Sequence, residues 1–140
     1  MNSKRYAHSA LMVAAALMAV CAYGATPTDE SPLGTVQLTV KPSNYSGGGC
    51  PVEVEFTAKI DFTMPHPESF VIYCHWERSN GVRTEDRKVR VEPSQQSMVF
   101  NDTWQIGTPG RQYKIRNAFL VDSGPKHLVK ASPVIPIACK

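Results

Sequence analysis

From Val52 to Phe62 the chain alternates without a break, with six apolar residues (Val52, Val54, Phe56, Ala58, Ile60, Phe62) at even positions and polar ones between them. In a strand successive side chains point to opposite faces, whereas a helix brings together residues three and four apart. A strict period of two over this length leaves little room for a helix. The chain must therefore contain a long strand that is wet on one side and buried on the other, and it needs a second apolar layer to cover the buried side.

Other stretches offer that layer. Thr35 to Lys41 alternates with Val36, Leu38 and Val40 on one face, and Pro42 to Gly49 then breaks the pattern with Ser, Asn and three consecutive Gly. Phe70 to Arg78 puts Ile72, Cys74 and Trp76 on one face and Tyr73, His75 and Glu77 on the other, and Ser79-Asn80-Gly81 follows as turn chemistry. Pro65 and Pro67 make the segment before it a loop. Val89 and Val91 mark a short strand, and Ser97 to Ile106 carries Met98, Phe100, Trp104 and Ile106 at even spacing with Asp102 as the odd polar member of that face. Gln112 to Val121 reads as one further strand. In the last, Ile135, Ile137 and Cys139 share a face, while Pro133 and Pro136 suit an edge strand or a bulge. The pattern predicts an all-β domain of about seven strands, with a two-sheet sandwich favoured over a closed barrel.

Residues 1–24 are set aside as a signal peptide. Lys4 and Arg5 form a positive n-region, Ala10 to Ala22 is an apolar run too short for a comfortable membrane span, and small residues follow it. Cleavage is expected after Gly24, with Ala22 as second choice. Lipidation at Cys21 is disfavoured because Val20 stands where the bacterial lipobox takes a small residue. Residues 25–33 read as a flexible spacer and 34–140 as the folded domain. The expected localisation is secreted or periplasmic. Removing Lys4 and Arg5 from the 15 cations leaves 13 against 12 acidic side chains, a balance unlike that of a dedicated nucleic-acid binder.

Cys50-Pro51-Val52, the run Ile72 to Gly81 containing Trp76-Glu77-Arg78-Ser79-Asn80-Gly81, Thr103-Trp104-Gln105-Ile106-Gly107 and Ile137-Ala138-Cys139 resemble small exported bacterial domains of the immunoglobulin or fibronectin type III kind. The likeness covers residues 34–140 and implies an immunoglobulin-like antiparallel β-sandwich centred on Trp76. Cys74 departs from the pattern, because such domains more often place Tyr there. The resemblance implies no particular activity, since folds of this type serve adhesins, chaperones, inhibitors and assembly subunits alike.

Three cysteines remain after signal removal. Cys50 and Cys139 lie at strand ends, where a staple is useful, and are expected to pair; Cys74 sits mid-strand and reads as a small buried hydrophobe. A copper-type periplasmic metal site would draw on Met64, His66, Cys74, His75 and His127, but their spacing matches no ligand motif. Gly-x-Ser-x-Gly, phosphate-loop and dinucleotide fingerprints do not occur. The expectation is a non-catalytic exported binding domain without cofactor or metal. The alternatives are a periplasmic metal-binding protein and an inhibitor or accessory subunit of an envelope or secretion assembly. Its expected docking surface is the outward face carrying Tyr73, His75, Lys114 and Arg116, with Arg83, Arg87 and Arg90 near the edge. Aromatic area and positive charge coincide there, which suits an unknown protein or an anionic envelope ligand as partner.

Overall fold

The computed structural model describes residues 31–140. The proposed signal peptide, with Cys21, lies outside them. In chain order the strands are β1 (Leu33–Lys41), β2 (Tyr45–Gly47), β3 (Val52–Phe62), β4 (Phe70–Arg78), β5 (Arg87–Val91), β6 (Ser97–Ile106), β7 (Gln112–Ile115), β8 (Asn117–Asp122), β9 (His127–Ala131) and β10 (Ile135–Cys139). No helix occurs among the described residues. The ladders are β1-β3-β6, β5-β4-β8-β9 and β2-β10-β7, all antiparallel except β2 with β10.

The alternation in β3 does what its period requires. Val54, Phe56, Ala58 and Ile60 are completely buried, while the acidic and Lys side chains between them face outward. Opposite them, β4 sends in Ile72, Cys74 and Trp76. The Trp76 ring lies 4.9 Å from Phe119 of β8 and 6.4 Å from Phe56 of β3, so one side chain joins both layers. Phe100 of β6 stacks on Phe119 at 5.4 Å. Each such aromatic, fully buried, contributes about 1.5–3 kcal/mol by leaving water, and the chain is an immunoglobulin-like β-sandwich centred on this cluster.

The ten segments exceed the seven expected because the Gly-rich stretch after β1 forms the short strand β2 beside β10, and because two strands break where they pass from one ladder to another. Arg116 separates β7 from β8, and residues 132–134 separate β9 from β10. The breaks lie side by side. Asn117 donates its backbone N–H to Ser132 Oγ at 3.1 Å, and Ser132 donates its own to the Asn117 carbonyl at 2.8 Å. Both strands thus turn together about a pair of buried polar residues. The ordered fold also reaches earlier than expected: Leu33, placed in the spacer on sequence grounds, is fully buried as the first residue of β1. The next residue is Gly34, where the β1–β3 register shifts and a Cβ would run into the Asp61 carbonyl oxygen.

Asp102 owes its inward position on β6 to partners from the opposite layer. Arg78 of β4 grips it with two hydrogen bonds, Nε to Oδ2 at 3.0 Å and Nη2 to Oδ1 at 2.8 Å. Asn117 Nδ2 adds a third at 2.8 Å. The guanidinium also lies over the Trp104 ring, 5.4 Å from its centre. Cys50, just before β3, and Cys139, the last residue of β10, form a disulfide across 89 positions of sequence. Gly107 makes room for it: its φ is +121°, and a Cβ there would collide with the sulfur of Cys139.

Candidate functional site

The outward face of β5-β4-β8-β9 is built in rows by strand pairing. Tyr73 of β4 stands between Lys88 of β5 and Asp122 of β8, and Asp122 pairs in turn with His127 of β9. The next row along β4 is His75, Leu120 and Val129, and the one after it Glu77, Ala118 and Ala131. In the first row Lys88 Nζ sits 6.0 Å from the centre of the Tyr73 ring, and His127 Nδ1 lies 3.6 Å from Asp122 Oδ2. Tyr73 is 48% exposed, a large value for an aromatic side chain in mid-strand.

Beyond β4 the chain folds back over this face. Arg78 N–H donates to the Val82 carbonyl and Thr84 N–H to the Trp76 carbonyl, both at 2.9 Å, and Trp76 N–H donates to Thr84 Oγ1 at 2.8 Å. These bonds carry Arg83 and Asp86 above His75. Asp86 Oδ1 is 3.0 Å from His75 Nδ1 and 2.8 Å from Arg83 Nη2, while Glu77 Oε1 is 3.0 Å from His75 Nε2. Arg83 Nη2 lies 3.3 Å from His75 Nδ1 as well. The imidazole expected to stand open to solvent is therefore only 13% exposed.

Between the folded-back segment and the β8–β9 turn lies a groove of about 350 Å³. Leu120 and Val121 contribute its apolar lining, Tyr73 and His75 one wall, Arg83 and Asp86 a second, and Asp122, Gly124 and His127 the turn end. That volume is at the lower end of small-ligand sites and suits one side chain or a group of similar size. Its walls carry both signs of charge.

The four residues expected to form a docking surface do not come together. Tyr73 and His75 share the groove. Arg116 lies beyond the end of β4, where its N–H donates to Ser79 Oγ at 3.0 Å and its carbonyl accepts from Ser79 N–H at 2.8 Å. At about 3.3 Å per strand residue, this is roughly 20 Å from Tyr73. Lys114 is on β7, opposite Pro136 of β10, in the other ladder. Near Tyr73 the cations are Arg83, Lys88 and His127 instead, offset by Glu77, Asp86 and Asp122. Of the edge arginines, Arg87 caps the Phe100 ring at 5.4 Å and Arg90 pairs with Glu92 at 3.3 Å. Sequence reasoning missed Asp86, Lys88, Leu120 and Asp122; Asp86 in particular belongs to a polar segment whose path depends on non-local hydrogen bonds.

The candidate metal ligands are also dispersed. Met64 is exposed, Cys74 is in the core, and His75 and His127 are on the outer face. His66 is buried, with its ring edge-on to Phe62 and Phe70 and its Nε2 2.6 Å from the Gln95 carbonyl oxygen. Among the described residues no group of three or more His, Cys, Asp or Glu side chains is arranged to hold a metal ion. Burial pushes the Cys74 thiol up to about 11, against a smaller lowering by Arg87, so it carries almost no thiolate at neutral pH. No described helix is long and apolar enough to cross a membrane.

No family model matches the chain, and no curated protein matches it. Among solved structures it is similar to the CARDB domain of a protein from Pyrococcus furiosus, solved in complex with di-metal ions. The likeness spans 79% of this chain and 99% of that one, with a TM-score of 0.52 and 13% sequence identity. A likeness at that identity concerns the fold, which it places among β-sandwiches of the immunoglobulin-like kind.

Proposed function

We propose that this chain is an exported, non-catalytic binding domain that docks a partner protein on the outer face of β5-β4-β8-β9. The observation that carries the reading is the groove beside Tyr73: an aromatic ring half in water, an apolar lining and charged walls, all on one rigid sheet. Such a combination suits an anchoring side chain of a partner, with polar groups at the rim to orient it. Export is part of the proposal. Residues 1–24 act as the signal peptide, the mature chain starts at Ala25, residues 25–30 lead into the domain, and the Cys50–Cys139 bridge suits an oxidising compartment.

Capture from the culture medium or periplasm of the source organism tests the reading. A partner held by the wild-type domain should be lost, by at least tenfold in apparent affinity, on Tyr73→Ala. The thermal midpoint should scarcely move, since exposed substitutions usually cost less than about 0.5 kcal/mol. Arg116→Ala, at the far end of the sheet, should leave capture unchanged. Normal capture by Tyr73→Ala would move the binding surface to the loops at residues 43–49 and 64–68.

A further inference from the structure

We infer that the free edge of β6 pairs with the β6 edge of a second copy of this chain, antiparallel about a two-fold axis beside Phe100, so that two sandwiches share one six-stranded sheet. This edge belongs to the layer opposite the groove, and the pairing stands apart from the docking proposal.

β6 is the last strand of the β1-β3-β6 ladder, so only one of its sides is paired. One hydrogen bond shows which groups are left over. Phe62 N–H donates to the Gln96 carbonyl at 2.9 Å, in step with the register that sets Ile60 against Met98 and Ala58 against Phe100. Main-chain groups point alternately to the two sides of a strand. The even-numbered residues of β6 therefore bond β3, while Ser97, Val99, Asn101 and Thr103 turn theirs to the open side. Two side chains already reach that side: Gln95 Nε2 donates to the Ser97 carbonyl at 3.3 Å, and Arg78 Nη2 donates to the Thr103 carbonyl at 3.0 Å. Between these two carbonyls, the N–H and C=O groups of Val99 and Asn101 have no hydrogen-bond partner among the described residues.

Open edges invite added strands, and proteins usually guard them with Lys, Arg or Pro or keep them short. The other edge strands follow that rule, with Lys41 in β1, Arg87, Lys88 and Arg90 in β5, Lys114 in β7 and Lys130 in β9, and with β2 only three residues long. β6 runs for ten residues without Lys, Arg or Pro. Its one charge, Asp102, is turned inward and met by Arg78 and Asn117. Val99, on the outward face beside the open groups, is 54% exposed.

An edge of this kind suits its own copy. A charged peptide gains nothing from a neutral strand, whereas two identical neutral strands meet without repulsion. Each chain offers two donors and two acceptors in one short run. A two-fold partner sets Val99 against the copy's Asn101 and Asn101 against the copy's Val99, which makes four bonds and leaves the Ser97 and Thr103 contacts in place. A two-fold axis normal to the sheet also keeps both copies facing the same way, so both Tyr73 grooves open on one side of the pair. Only that consequence rests on the docking proposal: a partner displayed repeatedly on a surface is held at two points.

Sedimentation equilibrium of the oxidised domain tests the pairing. The weight-average mass should rise from one chain toward two between about 10 µM and 1 mM, a range suited to a small interface built on backbone hydrogen bonds. Over the same range the Val99 and Asn101 amides should gain at least fivefold protection from hydrogen exchange. Asn101→Pro removes only an edge-facing N–H, so it should keep the fold and abolish both changes. Val99→Lys, which puts a cation at the seam, should weaken association at least tenfold. Tyr73→Ala, on the other layer, should leave it unchanged. The mass of one chain throughout, a dimer whose Val99 and Asn101 amides stay unprotected, or a dimer that survives Asn101→Pro overturns the inference. No docking partner enters the measurement, so failed capture and failed pairing remain separate results.

Discussion

Cys74 is buried between Ile72 and Trp76, and its thiol is shifted upward to about 11 by desolvation. Thiol reagents should therefore label it only after denaturation. Replacement by Ser should cost about 1–3 kcal/mol in a urea titration, because a buried hydroxyl would need a partner that the apolar pocket does not offer. A raised thiol pKa also fixes a sign: its contribution to stability is complete below the ordinary value of 9.0 and is lost as pH rises toward 11. His75, one residue away, has the opposite environment because the period of two turns it to the other face. That inversion was readable from the alternation alone. The partners of His75 were not, since Arg83 and Asp86 reach it only after the segment 79–86 has folded back.

At the level of strands, Asp102 shows how one layer is keyed to the other. Asp102→Ala should cost about 3 kcal/mol, because it leaves the Arg78 guanidinium and the Asn117 amide unmatched in a largely buried setting. Replacing Arg78 and Asp102 together by Met and Leu should recover most of that loss, and chemical denaturation of the single and double variants measures the difference. The length and inward face of β3 were legible in its sequence because burial on one side of a pleated strand writes itself as alternation. The split of the expected 112–121 strand at Arg116 was not, because alternation continues through the break: Ile115, Asn117, Phe119 and Val121 all face inward. The cause is the hydrogen bonding of Asn117 to Ser132, fifteen residues away. The same break put Lys114 in a different ladder from Tyr73, which is why the expected docking surface came apart while its Tyr73–His75 half held together.

For the molecule as a whole, the disulfide is the largest single covalent constraint on the described domain. With its cysteines 89 positions apart it should stabilise by about 4 kcal/mol in the chain-entropy account. Domains of this size have about 5–15 kcal/mol in total, so reduction should lower the urea midpoint by a large fraction. Side-chain variants on the outer face should leave it almost where it was.

The position of that bridge also decides how the domain would respond to being pulled. A load applied between Leu33 and Lys140 passes through the Cys50–Cys139 bond, so β3 to β10 lie inside a covalent ring and cannot be drawn out. Only β1 and β2 can be stretched out, peeling β1 away from β3. At about 3.5 Å per residue this releases on the order of 60 Å of chain. In single-molecule force spectroscopy the oxidised domain should yield once, by that short step, whereas the reduced domain should lengthen by more than roughly 300 Å. Built in this way, the domain gives a little slack under strain while the groove beside Tyr73 keeps its shape.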